Sequence, residues 1–401
     1  MSLHVNDLSR PLHLLANMLF AAILLTGCGG GGSGSMSTPA KSSFTAGPIT
    51  GFGSVIVNGT RFDVSSASVA NDEDEAKSDS DLKLGMVAEI EAGEITADSN
   101  GSHSKAEVVH FRSAIIGPVS FVNTNAKSLV VLGQPVDVTA TTVFGDLPNG
   151  LGSIKKDDVV EVFAMLDTTT GHYTATRIEP KPNAPFFKLL GVVSSLDTTA
   201  HTFKIGGETI SYATLTPDKI PADLANDLLV YVKLETIKDL SGAWVAVKLK
   251  DATRHMKDHE GAELKGRVTS VTSQTQFSVD GIPVDASSAK FEPAGATIVV
   301  GAEVEVEGTA NNGVIIATKV SIEDGNEDAL KGFELHGAIE MLDTTGKTFV
   351  LRGVTVSYGG SGVVFKGGIE ADLANGRRVE VKGSLSADGT TVEAKTISFE
   401  M

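Results

Sequence analysis

Apolar and polar residues alternate in short runs along most of this chain, and the runs are broken by Gly, Asn and Asp. The clearest runs flank a recurring glycine. Val55 and Val57 precede Gly59, Leu129 and Val131 precede Gly133, and Phe203 and Ile205 precede Gly207. Phe277 and Val279 likewise precede Gly281, and Phe349 and Leu351 precede Gly353. Beyond the glycines lie Phe62, Val136, Ile210, Val284 and Val356 at one common offset. Alternation with period two on both sides of a glycine predicts two antiparallel strands joined by a tight turn, with one face buried. Asn58-Gly59, Gly206-Gly207 and Asp280-Gly281 are dipeptides that such turns favour, because they reach positive φ cheaply. The glycines follow one another at 74, 74, 74 and 72 residues, so the pattern is a repeat and five units are expected.

Each unit shows a second alternating pair. Ala88-Glu89-Ile90-Glu91, Val160-Glu161-Val162, Val304-Glu305-Val306-Glu307 and Val379-Glu380-Val381-Lys382 lead through polar turns into closing strands such as Ala106 to Phe111 and Ala394 to Phe399. An opening strand precedes the hairpin, as in Gly266-Arg267-Val268 and Gly337-Ala338-Ile339. Five short strands, with a longer connection after the third that has room for one helical turn, predict a small Greek-key barrel of the OB type. The expected fold is therefore all-β, a tandem array of five small five-stranded OB-like units at 47–112, 113–182, 186–251, 261–325 and 331–401, with a linker at 252–260. Units of this size are marginal alone, so neighbours should pack on one another and stability should grow along the array.

The N-terminus departs from this pattern. Arg10 precedes an apolar run from Leu14 to Leu25 that is too short for a membrane span and has the layout of an export signal, so residues 1–27 read as a signal peptide. Leu25-Thr26-Gly27-Cys28 resembles the lipobox of bacterial lipoprotein precursors, which implies cleavage before Cys28 and acylation of that residue. Cys28 is the only cysteine, so no intramolecular disulfide can form. Residues 28–46 read as the lipidated cysteine followed by a Gly/Ser-rich tether. Gly29 stands where an aspartate would resemble an inner-membrane retention signal, which points to the outer membrane.

The stretch Gly47-Pro48-Ile49-Thr50-Gly51-Phe52-Gly53-Ser54-Val55-Ile56-Val57-Asn58-Gly59 resembles the opening of DUF5666, a bacterial domain family of unknown function that occurs in tandem in exported proteins and lipoproteins. The later Gly-x-Val starts, Thr-Phe-x-Val-x-Gly hairpins and Gly-x-x-Val-Glu-Val-x-Gly strands are similar. The second and third units depart most: Lys155 to Val159 lacks a glycine, and Tyr231 replaces the glutamate. The resemblance implies no catalytic residue.

A formal charge of -17 repels phosphate backbones and anionic head groups, so nucleic acid is excluded and the lipid alone should touch the membrane. Candidate chemistry is sparse. His255 and His259 stand four apart and would share a metal ion if they lay on a helix. Asp324, Asn326 and Asp328 alternate as calcium ligands do, without the glycine and distal glutamate of an EF-hand. The run Asp72-Glu73-Asp74-Glu75 reads as a solvated loop able to bind cations weakly. His103, His110, His172, His201 and His336 read as surface or rim residues, and Glu89, Glu161, Glu305 and Glu380 as outward residues that protect strand edges. No catalytic residue and no cofactor are expected. The expected function is a non-catalytic, lipid-anchored envelope protein, a structural or binding array whose partner is another envelope protein or a glycan. Carbohydrate-binding or metal-dependent protein, or an enzyme, are the alternatives.

Overall fold

The computed structural model describes residues 41–98, 101–252, 257–322 and 332–400, and these hold only strands, four 3-10 turns and loops. In the first stretch β1 (Ser42–Phe52), β2 (Val55–Val57) and β3 (Thr60–Asp63) form a meander, followed by the short β4 (Ser68–Asn71) and β5 (Ala76–Lys77). Then come β6 (Val87–Gly93), β7 (Thr96–Asp98) and β8 (Gly101–Arg112). β1 pairs antiparallel with β2 and β2 with β3; β3 runs parallel to β8; β8 pairs antiparallel with β6, and β6 with β1. The short β4 also runs parallel to β8, and a closed circuit of this kind, with its parallel closure of the third strand on the last, is the OB-type barrel that the alternation predicts.

The circuit recurs along the chain. It runs through β9 (Ile115–Asn123), β10 (Ser128–Val131), β11 (Gln134–Phe144), β12 (Val159–Asp167) and β13 (His172–Pro180). It runs again through β14 (Phe187–Val192) and β15 (Ser194–Asp197), which are one bent opening strand, β16 (Thr202–Ile205), β17 (Glu208–Ser211), β18 (Leu229–Leu234) and β19 (Trp244–Asp251). The next pass uses β20 (His259–Ser273), β21 (Gln276–Val279), β22 (Ile282–Asp285), β23 (Lys290–Glu292), β24 (Glu303–Asn311) and β25 (Val314–Ile322). The last uses β26 (Phe333–Ala338), β27 (Glu340–Asp343), β28 (Thr348–Leu351), β29 (Val354–Ser357), β30 (Val364–Lys366), β31 (Arg378–Leu385) and β32 (Val392–Phe399). The expected helical turn is present as 3-10 turns at Asp79–Asp81, Gly150–Ser153, Pro217–Lys219 and Glu370–Asp372.

The repeated glycines have separate jobs. At the hairpin tips Asn58 and Gly59 have φ of 51° and 78°, and Asp280 and Gly281 47° and 80°, the paired positive values of a two-residue turn. In the opening strands the glycine makes room for that tip to fold over: a Cβ at Gly47 would lie 2.5 Å from Asn58 Oδ1, and one at Gly117 2.8 Å from Leu132 Cβ. The glycine of Val-Glu-Val-x-Gly marks a bulge, where the register of the fourth strand shifts at Glu307/Gly308 and Lys382/Gly383.

The barrels do not form a line in which each touches only its neighbours. β1 pairs parallel with β20 (Ser43↔Gly261 to Ala46↔Leu264) and, further on, with β26 (Gly51↔Glu334). β9 pairs antiparallel with β14 (Lys188↔Ile116). Thr168 Oγ1 donates to Thr269 O at 2.8 Å, and Phe144 N to Gly389 O at 2.9 Å. The described chain is accordingly one compact unit. One continuous core joins the second and third barrels, another joins the first and fifth, and the core of the fourth takes in Phe44 and Ala46. Residues 42–46 therefore do not belong to the tether. They are strand, with Ser43, Phe44, Thr45 and Ala46 all buried, because the backbone is paired on one edge with β6 and on the other with β20 while Phe44 and Ala46 join the fourth core. The predicted linker 252–260 is likewise shortened, since β20 begins at His259.

Candidate functional site

Cys28, His255, Asp324, Asn326 and Asp328 lie outside the described residues. His259 opens a strand rather than sitting on a helix, so the spacing that would aim it with His255 at one metal ion is not that of its backbone. Its ring is buried against Phe44, with 6.0 Å between centroids, and Nδ1 lies 3.2 Å from Ser42 Oγ. Burial pushes its pKa down and keeps the ring neutral.

The recurring outward glutamates occupy one structural position. Glu89, Glu161, Glu305 and Glu380, with Tyr231 in the third barrel, all face the residue just before the opening-strand glycine: Ala46, Ile116, Lys265, His336 and, for Tyr231, Leu190. They serve contacts rather than bare edges. Glu161 is buried, accepts from Lys181 Nζ at 2.7 Å and from Ser113 Oγ at 2.8 Å, and so ties the start and the end of the second barrel to its fourth strand. Burial alone would raise its carboxyl, but the charge and hydrogen bond of Lys181 hold it below the usual range. Tyr231 OH donates to Ser113 O at 2.8 Å, with Arg112 5.8 Å from the ring centre.

The acidic run is also committed to a seam. Asp72 pairs with Lys188 at 2.6 Å, with only 14% and 10% of the two side chains exposed. Glu73 accepts from Lys248 at 2.8 Å and lies 3.6 Å from Lys233. These lysines belong to the third barrel, so the first half of the loop read as solvated clasps the first barrel to the third, while Asp74 and Glu75 are exposed.

The densest cluster surrounds His336, which the sequence reading left at the rim. Its Nδ1 lies 2.8 Å from Glu400 Oε1 and its Nε2 2.7 Å from Glu334 Oε1, with Glu380 at 3.6 Å. Arg61, from the first barrel, pairs with Glu334, and Lys382 bridges Glu334 at 3.2 Å and Glu380 at 3.1 Å. Donor atoms of Glu334, His336 and Glu380 fall within 4.8 Å of one another, close enough to hold a metal ion. The chemistry does not fit one. Two permanent cations already sit on the carboxylates, and both ring nitrogens face oxygens, so the imidazole is satisfied only when both carry protons. An imidazolium has no lone pair to give a metal. One usable signal was available: Glu334 and His336 alternate on a strand and so share a face. Arg61, 273 residues from Glu334, had none.

Burial by itself would lower the pKa of His336, but hydrogen bonds to Glu334 and Glu400 and the charges of Glu334 and Glu380 raise it. A histidine raised in the folded state contributes stability that is complete below about pH 6.5 and is lost as pH rises through its folded value. Wild-type protein should therefore lose more thermal stability than His336→Gln between pH 6 and 9. Melting curves across that range check this; parallel curves would mean that folding does not raise the pKa of His336. The comparison is needed because Asp280, pushed up to about 6 chiefly by burial, acts with the same sign at lower pH, and His259 with the opposite sign.

Two of the spaces between barrels are partly open clefts of some size. A cleft of about 340 Å³ among the first three is lined by paired charges, among them Asp72 with Lys188, Glu161 with Lys181, and Glu179 with Lys83 at 3.7 Å. A chamber of about 430 Å³ lies where the first, second, fourth and fifth barrels meet.

Fold and seams together define a repeat protein of small OB-like β-barrels bound into one body. The family model "Domain of unknown function (DUF5666)" matches residues 116–179, 265–321 and 336–398, so the chain carries DUF5666 domains in tandem. These are the second, fourth and fifth circuits; the first and third repeat the same strand pairings. No curated protein matches the chain.

Proposed function

We propose that this is a non-catalytic protein of the bacterial cell envelope, exported, held to the outer membrane through lipid on Cys28, and acting as a structural or binding body built of five DUF5666-like barrels. The observation that supports it best is the use of the charged positions. The acidic side chains Asp72, Glu73 and Glu334 pair with cations across barrel seams. Such a protein presents surface and cavities to a partner, an envelope protein or a glycan, rather than a reacting constellation. The anchor is tested by labelling cells with a palmitate analogue: the wild-type chain should take up label and partition with membranes, and Cys28→Ser should do neither. Equal partitioning of the two would remove the lipid from this reading. Crosslinking and capture from native envelopes then identifies what the anchored protein touches.

A further inference from the structure

The loop that joins the fourth strand of a barrel to the fifth holds a neighbouring barrel in two cases. That of the fifth barrel, between Leu385 and Val392, lies on the connection that leaves the third strand of the second barrel, and Phe144 N donates to Gly389 O there at 2.9 Å. The fit is close: a Cβ at Gly389 would lie 2.5 Å from Thr142 O, and one at Gly150 would overlap Asp388 O. The loop of the second barrel, between Asp167 and His172, docks in turn on the fourth, where Thr168 Oγ1 donates to Thr269 O and a Cβ at Gly301 would lie 2.7 Å from the Asp167 carboxylate. The same loop of the third barrel, residues 235–243, instead leaves its two largest apolar side chains in solvent, with Ile237 78% and Leu240 109% exposed. It is an ordered loop. Asp239 Oδ1 accepts from Ser241 N at 2.8 Å and from Ala243 N at 3.0 Å, and Lys238 reaches back to Glu208 at 2.6 Å.

The seat has an uncovered counterpart as well. Phe144 pairs with Ile178 and Phe365 with Ile397, and those isoleucines hold the same place opposite Val162 and Val381 of the fourth strand, so Val364 corresponds to Val143. Val143 is 7% exposed and joins the core shared by the first and fifth barrels, whereas Val364 is 50% exposed. Ile369 precedes the 3-10 turn of the fifth barrel as Asn149 precedes that of the second, and it is 63% exposed. The chain thus carries one apolar loop without a seat and one apolar seat without a loop. Both are exposed, so they do not meet within one copy.

We propose that this protein associates with a second copy of itself, the third-barrel loop of one copy seating Ile237 and Leu240 on Val364 and Ile369 of the other. The contact repeats between copies the one that loop 386–391 makes with the second barrel inside a copy. It joins two different surfaces, so it either closes reciprocally in a two-fold dimer or runs on to a ring or filament. A loop-sized contact belongs with the small, weak interfaces, which bury less than about 1,200 Å². Such assembly requires neither lipid on Cys28 nor a place in the envelope.

The test is sedimentation equilibrium of residues 28–401 carrying Cys28→Ser, which keeps every described residue and removes the lipid and the apolar run 14–25 as other causes of association. The weight-average mass should rise above that of a monomer over about 10 to 500 µM. The loop variant Ile237→Ser, Leu240→Ser and the seat variant Val364→Lys, Ile369→Lys should each lose at least about tenfold in affinity. Mixed in equal amounts, they should form a dimer and nothing larger, because each pair has one intact loop and one intact seat. All four positions are exposed, so the variants keep the fold, which circular dichroism verifies. A wild-type chain that stays monomeric, variants that associate as the wild type does, or a mixture no larger than its separate components would each overturn the proposal. So would a monomeric wild type that binds phospholipid vesicles through Ile237 and Leu240, which gives the loop to a membrane instead.

Discussion

Replacing Phe44 by alanine should cost about 3 to 5 kcal/mol, the loss typical of a buried aromatic truncated in a packed core. Phe44 is 4% exposed and belongs to the core of the fourth barrel, although it lies in the opening strand of the first. Its removal leaves a cavity beside Ala262 and Leu264 and takes away the ring that covers His259. Neighbouring atoms have little freedom to close that cavity, because Ser43 to Ala46 are fixed on one side by β6 and on the other by β20. Urea denaturation followed by circular dichroism measures the effect. The contrast with the sequence reading is sharp: a residue in a flexible tether would change stability by under about 0.5 kcal/mol, and that outcome would return residues 42–46 to the tether.

Lys188→Met should be comparably damaging, again about 3 to 5 kcal/mol, because it leaves the carboxylate of Asp72 enclosed without its cation. Lys188 also lies 5.8 Å from the centre of the Tyr231 ring, so its loss loosens the packing that holds Tyr231 on Ser113. The double variant Asp72→Asn, Lys188→Met removes both charges and should recover much of the loss, giving a coupling of about 0.5 to 3 kcal/mol in a double-mutant cycle. Added salt should change the coupling little, since the pair is largely shielded from solvent. Additive single-variant costs would show that Asp72 and Lys188 do not depend on each other.

Much of the barrel was legible because it is written locally. The alternation around Gly59 or Gly281 specifies a hairpin whichever barrel contains it, and Val-Glu-Val-x-Gly specifies a bulged strand. The Leu132-Gly133 and Arg352-Gly353 tips were harder, since bulky residues there still adopt φ of 49° and 47°. What the sequence hid is how the barrels meet. Asp72-Glu73-Asp74-Glu75 has the composition of a solvated loop, and only the fold brings Lys188, Lys233 and Lys248 to it. His336 looked isolated for the same reason: of its neighbours, only Glu334 is close in sequence, while Glu380, Glu400 and Arg61 arrive through strand pairing and barrel contact. Period-two patterning records which face is inward, and a residue facing away from its own barrel carries the same signal whether it meets water or a neighbour.

β1 has a consequence for the order in which the molecule is completed. Its parallel partners at Gly261 and Glu334 lie 218 and 283 residues beyond Ser43 and Gly51. During synthesis, which delivers the chain from its N-terminus, the first of the described strands to emerge waits for nearly all the rest before its hydrogen bonds are complete. Closing so long a loop is costly in chain entropy and slows folding relative to local hairpins. The early hairpins have their contacts within reach at once, whereas the opening strand keeps unpaired edges until the fourth and fifth barrels arrive. A truncated product lacking those barrels would thus expose strand edges that the finished protein covers, and such edges are the usual start of aggregation.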